Sequence, residues 1–231
     1  MFHVIRNYQR VNPTVVEAFR GIGTATVHEA YNQQGAMHSV IKPIFPGMRI
    51  CGTALTVKLH PGDNLMLHKA VDILQPGEVL VCDHAGHEEG PWGELLSISA
   101  LARGCAGLVI DGYVRDGVAI QERGFSVFAR GLSIKGTIKE SLGLINHPIS
   151  CAGVVVYPGD LILGDADGVC VVARERAEEI LQLSLERDKK ELNQIKLLQD
   201  GKTIWQLSNF DELARSKGLL EEPLGKDLPG N

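Results

Sequence analysis

Residues 93–116 read GELLSISALARGCAGLVIDGYVRD, and this stretch carries the strongest structural signal in the chain. Its first half has apolar residues at helical spacing from Leu95 to Ala102, which predicts a helix that ends near Gly104. Residues 107–110 form an apolar run that is typical of a buried strand. The pattern therefore predicts a helix followed by a strand, with polar residues directly after the strand.

The two predicted elements have similar lengths, so their far ends are expected to meet. A helix of about ten residues rises roughly 15 Å, and a strand of about five residues covers roughly 16 Å. If they pack antiparallel, Arg115 and Asp116 lie beside the free N–H groups of residues 93–96. Helix N-termini bind anions, arginine binds carboxylates or oxyanions, and aspartate binds hard cations. The stretch therefore predicts a site for a small α-keto acid and a divalent metal.

Helices and strands alternate on the N-terminal side of this stretch. We expect strands at 48–60 and 79–82 because both segments are rich in β-branched and other apolar residues. Between them, residues 64–74 have the apolar spacing of a helix, with Asp63 as its expected N-cap. This alternation predicts an α/β arrangement in the middle of the chain.

On the C-terminal side, strands cluster and a long helix follows. Residues 151–157 read as one strand, and the Asp-Gly pair at 167–168 is a hairpin signal. An apolar stripe along 174–199 predicts one long helix. The fold class is therefore α/β, as a single compact domain over residues 1–200 with a long C-terminal helix. Residues 201–231 are expected to form a peripheral C-terminal extension.

Composition narrows the possible functions and locations. The chain has 231 residues, of which 44% are hydrophobic and 22% charged, and this is ordinary for a globular protein. A net charge of −5 argues against a nucleic-acid partner held through phosphates. We expect a cytoplasmic protein without a membrane span, since no signal-peptide core or apolar run of about 18 residues is visible. The cysteines form no CxxC pair, which favours reduced, buried thiols.

Three other patterns have simpler interpretations than a catalytic one. His84, His87, Glu88 and Glu89 have loose spacing for zinc and lack a second cluster, so an exposed polar loop is favoured. Lys58 lies in an apolar strand, where a Schiff-base lysine is one hypothesis and a lysine on the open face of an edge strand is the favoured one. No P-loop and no GxGxxG after a strand is present, which disfavours nucleotide chemistry.

The motifs resemble a known family, the 4-hydroxy-4-methyl-2-oxoglutarate/4-carboxy-4-hydroxy-2-oxoadipate aldolase branch of the RraA-like proteins. The hallmark is a Gly-acid pair, twenty residues and an Arg-Asp pair, here Gly93-Glu94 and Arg115-Asp116. The resemblance extends over about residues 10–200. Further segments that carry it are Pro61-Gly62-Asp63-Asn64, Lys135-Gly136-Thr137, Lys139-Glu140, Leu142-Gly143, Pro158-Gly159-Asp160 and Asp167-Gly168-Val169.

The resemblance implies a swivelling β/β/α-type domain that assembles as a homotrimer or homohexamer with sites between subunits. It also implies Mg²⁺ or Mn²⁺ as cofactor, held by Asp116. The resemblance further implies that the amides at the start of the helix, those of Gly93, Glu94, Leu95 and Leu96, would bind the pyruvate end of the substrate.

The remaining roles that the resemblance implies concern charge and protons. Arg115 would contact the keto oxygen and stabilise the enolate. Glu94 stands where the aldolases often carry aspartate. A glutamate from the C-terminal helix of a neighbouring subunit contributes in the family, and Glu191 is the candidate here.

The implied activity is that of a metal-dependent (class II) pyruvate aldolase in aromatic compound catabolism. It would cleave 4-carboxy-4-hydroxy-2-oxoadipate, 4-hydroxy-4-methyl-2-oxoglutarate or both. Decarboxylation of oxaloacetate passes through the same enolate, so this side activity is expected. The alternatives are a dedicated oxaloacetate decarboxylase and a non-catalytic regulator that binds a ribonuclease, as RraA does. The presence of Arg115, Asp116 and an acid at position 94 favours catalysis.

Overall fold

A computed structural model describes residues Phe2–Glu221. The helices are α1 (Pro13–Phe19), α2 (Thr24–Ala30), α3 (Leu65–Ile73), α4 (Glu94–Ala102), α5 (Gly117–Glu122), α6 (Ala177–Gln199), α7 (Ile204–Leu207) and α8 (Phe210–Ser216). The strands are β1 (His3–Val4), β2 (Lys42–Pro43), β3 (Ile50–Lys58), β4 (Glu78–Asp83), β5 (Gly107–Asp111), β6 (Tyr113–Val114), β7 (Val127–Ala129), β8 (Gly131–Leu132), β9 (Leu144–Ile145), β10 (Ile149–Cys151), β11 (Val154–Val156), β12 (Leu161–Asp165) and β13 (Gly168–Val172).

The main sheet is mixed and has a parallel centre. Its strands run in the order β1-β9-β3-β4-β5-β7-β2, and the β12/β13 hairpin joins β3 beside β9. The pairs β3/β4, β4/β5 and β5/β7 are parallel, whereas β12 and β9 run antiparallel to β3. Every residue of β4 and β5 is buried, as expected for parallel strands covered on both faces.

The parallel centre brings three helix starts to one edge of the sheet. Helices α3, α4 and α5 follow strands β3, β4 and β5 in the chain. In such crossover units the carboxyl end of each strand lies near the start of the next helix. Ligands of α/β folds bind at this edge, so a functional site is expected here.

The predicted fold class is confirmed, as is the long C-terminal helix. The segment at 174–199 begins with a 3₁₀ turn at Arg174–Arg176 and continues as α6. The hairpin signal at 167–168 is also confirmed, since β12 and β13 pair antiparallel with Asp165 opposite Gly168.

The prediction of one continuous strand at 151–157 is wrong. The structure divides it into β10 and β11, which pair as a short hairpin around Ala152 and Gly153. Both residues have positive φ angles, 46° and 84°. A Cβ at Gly153 would lie 2.5 Å from Nε2 of His38, so the turn needs glycine for steric reasons as well. The apolar sequence around this pair conceals a tight turn.

Two local predictions are also corrected. Asn64, not Asp63, is the N-cap of α3, although Oδ1 of Asp63 does accept a hydrogen bond from the N–H of Leu65 at 2.7 Å. Lys58 does not lie on an edge strand, because β3 has β4 on one side and β9 and β12 on the other. Its Nζ lies 3.4 Å from Oδ2 of Asp83, which explains a lysine at the end of a buried strand.

The predicted buried thiols are confirmed. All five cysteines are buried and none forms a disulfide. Burial raises the pKa of Cys51 and of Cys105 to about 11, so neither thiol is a reactive thiolate near neutral pH.

The described chain divides between Leu185 and Glu186 into two compact units. In the second unit, a capping box formed by Thr203 and Gln206 opens α7. The indole N–H of Trp205 donates to Oδ1 of Asp211 at 2.7 Å. Helix α8 follows, with Asn209 in the left-handed conformation as its N-cap. Among the residues described, no helix is long and apolar enough to cross a membrane.

Candidate active site

Asp116 lies between β6 and α5 in an unusual backbone conformation. Its φ and ψ angles are 57° and 36°, the left-handed region that residues with a Cβ rarely adopt. This conformation costs about 1–2 kcal/mol, and strain of this kind clusters at functional sites. The carbonyl of Asp116 accepts from the N–H of Ile120 at 2.9 Å, so the same residue opens α5.

The carboxylate of Asp116 reaches the start of α4. Its Oδ2 accepts a hydrogen bond from the N–H of Glu94 at 3.2 Å. A Cβ at Gly93 would lie 2.4 Å from this oxygen, so only glycine allows the approach. The expected meeting of the helix start and the strand end is therefore present. One of the amides predicted to bind substrate is instead bonded to Asp116.

Arg115 is fixed through its backbone and keeps an accessible side chain. Its N–H donates to the carbonyl of Trp92 at 2.9 Å, which ties the segment after β6 to the segment that leads into α4. The side chain is 50% exposed, and its Nε lies 3.7 Å from Oδ2 of Asp116. A guanidinium at this position provides positive charge directly beside the carboxylate and the free helix amides.

A buried tryptophan supports this arrangement. The indole N–H of Trp92 donates to Oγ of Ser97 at 2.7 Å, and this hydroxyl donates to the carbonyl of Gly93 at 3.0 Å. The Trp92 ring stacks on Phe125 with 5.6 Å between ring centroids. Because both rings are fully buried, the start of α4 is anchored in the core.

Glu94 is held by an arginine that the sequence analysis did not identify. Its Oε1 accepts from Nε and Nη2 of Arg123 at 3.1 and 2.8 Å. Arg123 is the C-cap of α5, the helix that Asp116 opens. Helix α5 therefore fixes two acids of the site, one at each end.

A cavity of about 230 Å³ lies at this site. It is lined by the six residues that the sequence predicted at the helix start and after the strand, and by five more. The lining consists of Gly93, Glu94, Leu95, Leu96, Arg115 and Asp116 together with Asn64, His68, Gly90, Pro91 and Lys139.

Three of the additional residues bring polar groups to the cavity. Asn64 donates through Nδ2 to the carbonyl of Pro91 at 2.9 Å. Partial loss of water, followed by the charge of Lys139, lowers the pKa of His68. Asn64 and His68 are four residues apart and lie on the first turns of α3. Because the start of a helix that follows a parallel strand lies at the ligand-binding edge of the sheet, this position is the signal that could have identified them.

Asp63 positions the segment that carries Lys139. Its Oδ2 accepts from the N–H groups of Glu140 and Ser141, both at 2.6 Å. Burial disfavours the charged carboxylate, but these amides and that of Leu65 outweigh it and lower the pKa of Asp63. The buried Asp63 carboxylate therefore fixes the backbone directly after Lys139, which itself lines the cavity.

The residues of the cavity suit a magnesium-type cation that is bound through a single carboxylate. Within residues Phe2–Glu221, no three His, Cys, Asp or Glu side chains are grouped so that they could hold a metal ion. Asp116 is a single hard oxygen ligand at an open cavity. Mg²⁺ commonly binds through one or two carboxylates, with waters and substrate oxygens completing its octahedron. The donor set suits such a cation and does not suit a closed structural site.

The His84 loop does not form a metal site and is not fully exposed. His84 is 1% exposed, so the interpretation of an exposed polar loop is wrong at this residue. Its Nε2 accepts from the N–H of Gly62 at 3.3 Å, and burial lowers its pKa. His87 and Glu89 form only a loose contact, with 3.7 Å between Nδ1 and Oε2.

Glu191, the predicted contribution from a neighbouring subunit, lies on α6 in the second compact unit. Its Oε1 is 2.9 Å from Nε of Arg187, one turn earlier on the same helix. Its role in another subunit's site stays a prediction.

Comparisons with known proteins point to one family. The family profile described as RraA-like, Aldolase/RraA, matches residues 24–171. A Halalkalibacterium halodurans protein, whose name gives 4-hydroxy-4-methyl-2-oxoglutarate aldolase as an unproven assignment, is 39% identical over 168 residues, covering 72% of this chain and 80% of its own. A 4-hydroxy-4-methyl-2-oxoglutarate aldolase of Thermus thermophilus is 29% identical over 150 residues, covering 64% of this chain and 91% of its own.

A solved structure extends the similarity to the fold. Streptomyces coelicolor RraAS2, described as an unusual member of the RNase ES inhibitor RraA protein family, matches with a TM-score of 0.73 and 25% identity. The match covers 81% of this chain and 98% of RraAS2. By its profile match, its relatives and its fold, the chain belongs to the RraA-like (Aldolase/RraA) family.

Proposed function

We propose that the protein is a divalent-metal-dependent pyruvate aldolase. Its substrates would be 4-carboxy-4-hydroxy-2-oxoadipate, 4-hydroxy-4-methyl-2-oxoglutarate or both, cleaved to pyruvate and to oxaloacetate or a second pyruvate. The observation that carries the proposal is the convergence of Arg115 and Asp116 on the first turn of α4 inside one cavity. Relatives named as aldolases support the same chemistry.

The pyruvate end of the substrate would bind at the start of α4. The N–H groups of Leu95 and Leu96 belong to the first turn and have no acceptor within the helix, so they suit a carboxylate. Arg115 would donate to the keto oxygen, where negative charge develops as the enolate forms. Asp116 would hold the cation, which when bound supplies Lewis-acid polarisation of the keto oxygen.

Cleavage also requires removal of the proton from the C4 hydroxyl. Glu94 is the acid that lines the cavity beside Asp116, and both of its hydrogen bonds from Arg123 go to Oε1. We assign its Oε2 as the proton acceptor, acting directly or through one water. Arg123 orients this carboxylate and is therefore a positioning residue.

The decisive experiment follows pyruvate release with a coupled dehydrogenase assay. Both hydroxy acids and oxaloacetate would be tested with Mg²⁺, with Mn²⁺ and with EDTA, and metal-catalysed loss of oxaloacetate without enzyme would be subtracted. We expect metal-dependent release from at least one hydroxy acid. Asp116→Asn should lower it by about a hundredfold or more, whereas Asp167→Asn, in an exposed turn, should not. Absence of metal-dependent release from both hydroxy acids would refute the aldolase.

The proposed oligomer with interfacial sites can be tested by complementation. We propose that Glu191 acts in the site of a neighbouring subunit within a homotrimer or homohexamer. Asp116→Asn and Glu191→Gln homo-oligomers should each be weakly active. Mixed oligomers, formed by co-expression with two tags, would contain some sites with both residues intact and should regain activity. Mixed oligomers as inactive as either parent would contradict a shared site.

Two other functions remain to be separated from aldol cleavage. A dedicated oxaloacetate decarboxylase would release pyruvate from oxaloacetate far faster than from either hydroxy acid. The fold match to RraAS2 favours, as a second candidate, a regulator that binds a ribonuclease. It would retard RNA cleavage by a ribonuclease at stoichiometric concentration and would do so equally well as the Asp116→Asn variant. The Arg115 and Asp116 arrangement favours catalysis over this alternative.

A further inference from the structure

A second cavity of about 290 Å³ continues from the candidate active site along the protein surface. The two cavities share His68, Leu95 and Leu96. The second cavity also contacts Ser99 and Arg103, which take no part in the proposed chemistry. We call this continuation the α3–α4 groove.

The groove lies between two helices that both begin at the active site. Asn64 and Gly93, the N-caps of α3 and α4, contribute to the first cavity. Leu95, Ser99 and Arg103 follow at intervals of four residues and so share one face of α4. From Leu95 to Arg103 the helix rises about 12 Å. The groove therefore extends away from the start of α4 over a distance that could accommodate a medium-sized organic acid.

The chemistry of the groove changes along its length. Val71 and Leu96 are buried beneath it and provide an apolar floor. At the far end, Nη2 of Arg103 donates to the backbone carbonyl of Asp72 at 2.7 Å, so the arginine crosses from α4 to α3. The Asp72 carboxylate itself contacts Nζ of Lys69 at 2.7 Å. A guanidinium carries five N–H donors, and this bond uses one of its nitrogens. The groove thus begins at the site, passes over apolar surface and ends at Arg103, beside the Asp72 carboxylate that Lys69 pairs with.

We propose that the α3–α4 groove binds the part of the substrate beyond the cleaved bond, in 4-hydroxy-2-oxo acids whose distal chain is aliphatic and ends in a carboxylate. This inference rests on the proposed function, because the pyruvate end must occupy the start of α4. The apolar floor binds the methylene groups and Arg103 binds the terminal carboxylate. The enzyme would then prefer these longer acids to the two shorter hydroxy acids considered above.

Two measurements test the groove, and only one of them needs turnover. The first is kcat/KM for pyruvate release from 4-hydroxy-2-oxo diacids of increasing chain length. The second is calorimetric binding, in the presence of Mg²⁺, of the matching 2-oxo diacids that lack the hydroxyl and cannot be cleaved. We expect both to improve with length, by about tenfold or more, until the chain reaches Arg103.

Variants separate the groove from the catalytic site. Arg103→Gln should remove the gain for long diacids and leave short ones unchanged, and Ser99→Trp should do the same by filling the groove. Arg176→Gln, which removes an exposed arginine paired with Glu179, is the matched control and should change neither. If length has no effect on either measurement, or if Arg103→Gln weakens short and long diacids equally, the inference is wrong. Binding that follows chain length without any turnover would refute the aldolase and keep the groove.

Discussion

Replacement of Gly93 by alanine isolates the contact between the Asp116 carboxylate and the start of α4. The added Cβ would lie 2.4 Å from Oδ2 of Asp116 and 3.2 Å from Cγ of Arg115. Ordinary van der Waals contact is about 3.5 Å, so the oxygen must retreat by roughly 1 Å. Its hydrogen bond to Glu94 N–H, already 3.2 Å long, would break. The substitution therefore displaces the proposed metal ligand without removing it.

The expected effect is large on activity and small on folding. A misplacement of about 1 Å at a reacting centre costs roughly a hundredfold in rate, equivalent to about 2.7 kcal/mol of transition-state stabilisation. The backbone of Gly93, with φ −155° and ψ −165°, is extended and accessible to alanine. We therefore expect the free energy of unfolding to change by no more than about 1 kcal/mol.

The assay combines pyruvate release over a Mg²⁺ titration with thermal unfolding. Gly93→Ala should lower kcat/KM about a hundredfold and should require more Mg²⁺ for half-maximal rate. Gly21→Ala is the matched control, since a Cβ there meets no atom within 4 Å. A Gly93→Ala variant that keeps wild-type rate and Mg²⁺ dependence would refute the reasoning, because Asp116 would then tolerate displacement. Loss of folding would show that glycine serves the backbone instead.

Substitutions at three neighbouring residues test further contacts of the site. Arg115→Lys should lower kcat about a hundredfold, because a point charge cannot replace the planar fork, and a near-normal kcat would exclude the enolate role. Arg123→Gln should lower kcat about tenfold with little change in KM by freeing Glu94, and Arg123→Lys should restore part of it; equal losses in both variants would indicate a structural role only. Asp63→Asn should reduce the free energy of unfolding by about 2–3 kcal/mol at neutral pH. Because folding lowers the pKa of Asp63, its contribution is complete above the unfolded pKa of about 3.9 and is lost as pH falls through the folded value. Denaturant titrations of the two proteins should therefore converge at low pH, and a constant difference would refute the assignment.

The meeting of Arg115 and Asp116 with the start of α4 was predictable because it depends on regular geometry. A helix and a strand of matched length in a crossover unit have few ways to pack, and the apolar spacing of residues 95–110 indicates both. The same regularity made the α/β class and the long helix α6 predictable. Local sequence patterns are sufficient where the backbone repeats.

Features that depend on distant residues were not predictable. The pairing of Glu94 with Arg123 joins two helices, and no spacing rule relates residues that are 29 positions apart. In the sequence Lys58 looks like an edge-strand lysine, because its partner Asp83 is on another strand and no local pattern reveals the contact. The turn at Ala152 is hidden because the left-handed conformation of an alanine depends on its surroundings. In each case a tertiary contact overrides the local signal.

The stacking of Trp92 on Phe125 has a spectroscopic consequence. The chain contains two tryptophans, and each compact unit holds one. Trp92 is fully buried in the first unit, whereas Trp205 is 40% exposed in the second. Their emission should differ in wavelength and in access to a soluble quencher. A Trp205→Phe protein would leave Trp92 as the sole tryptophan, placed beside the first turn of α4. Its intensity on selective tryptophan excitation would report ligand binding and unfolding of that unit alone.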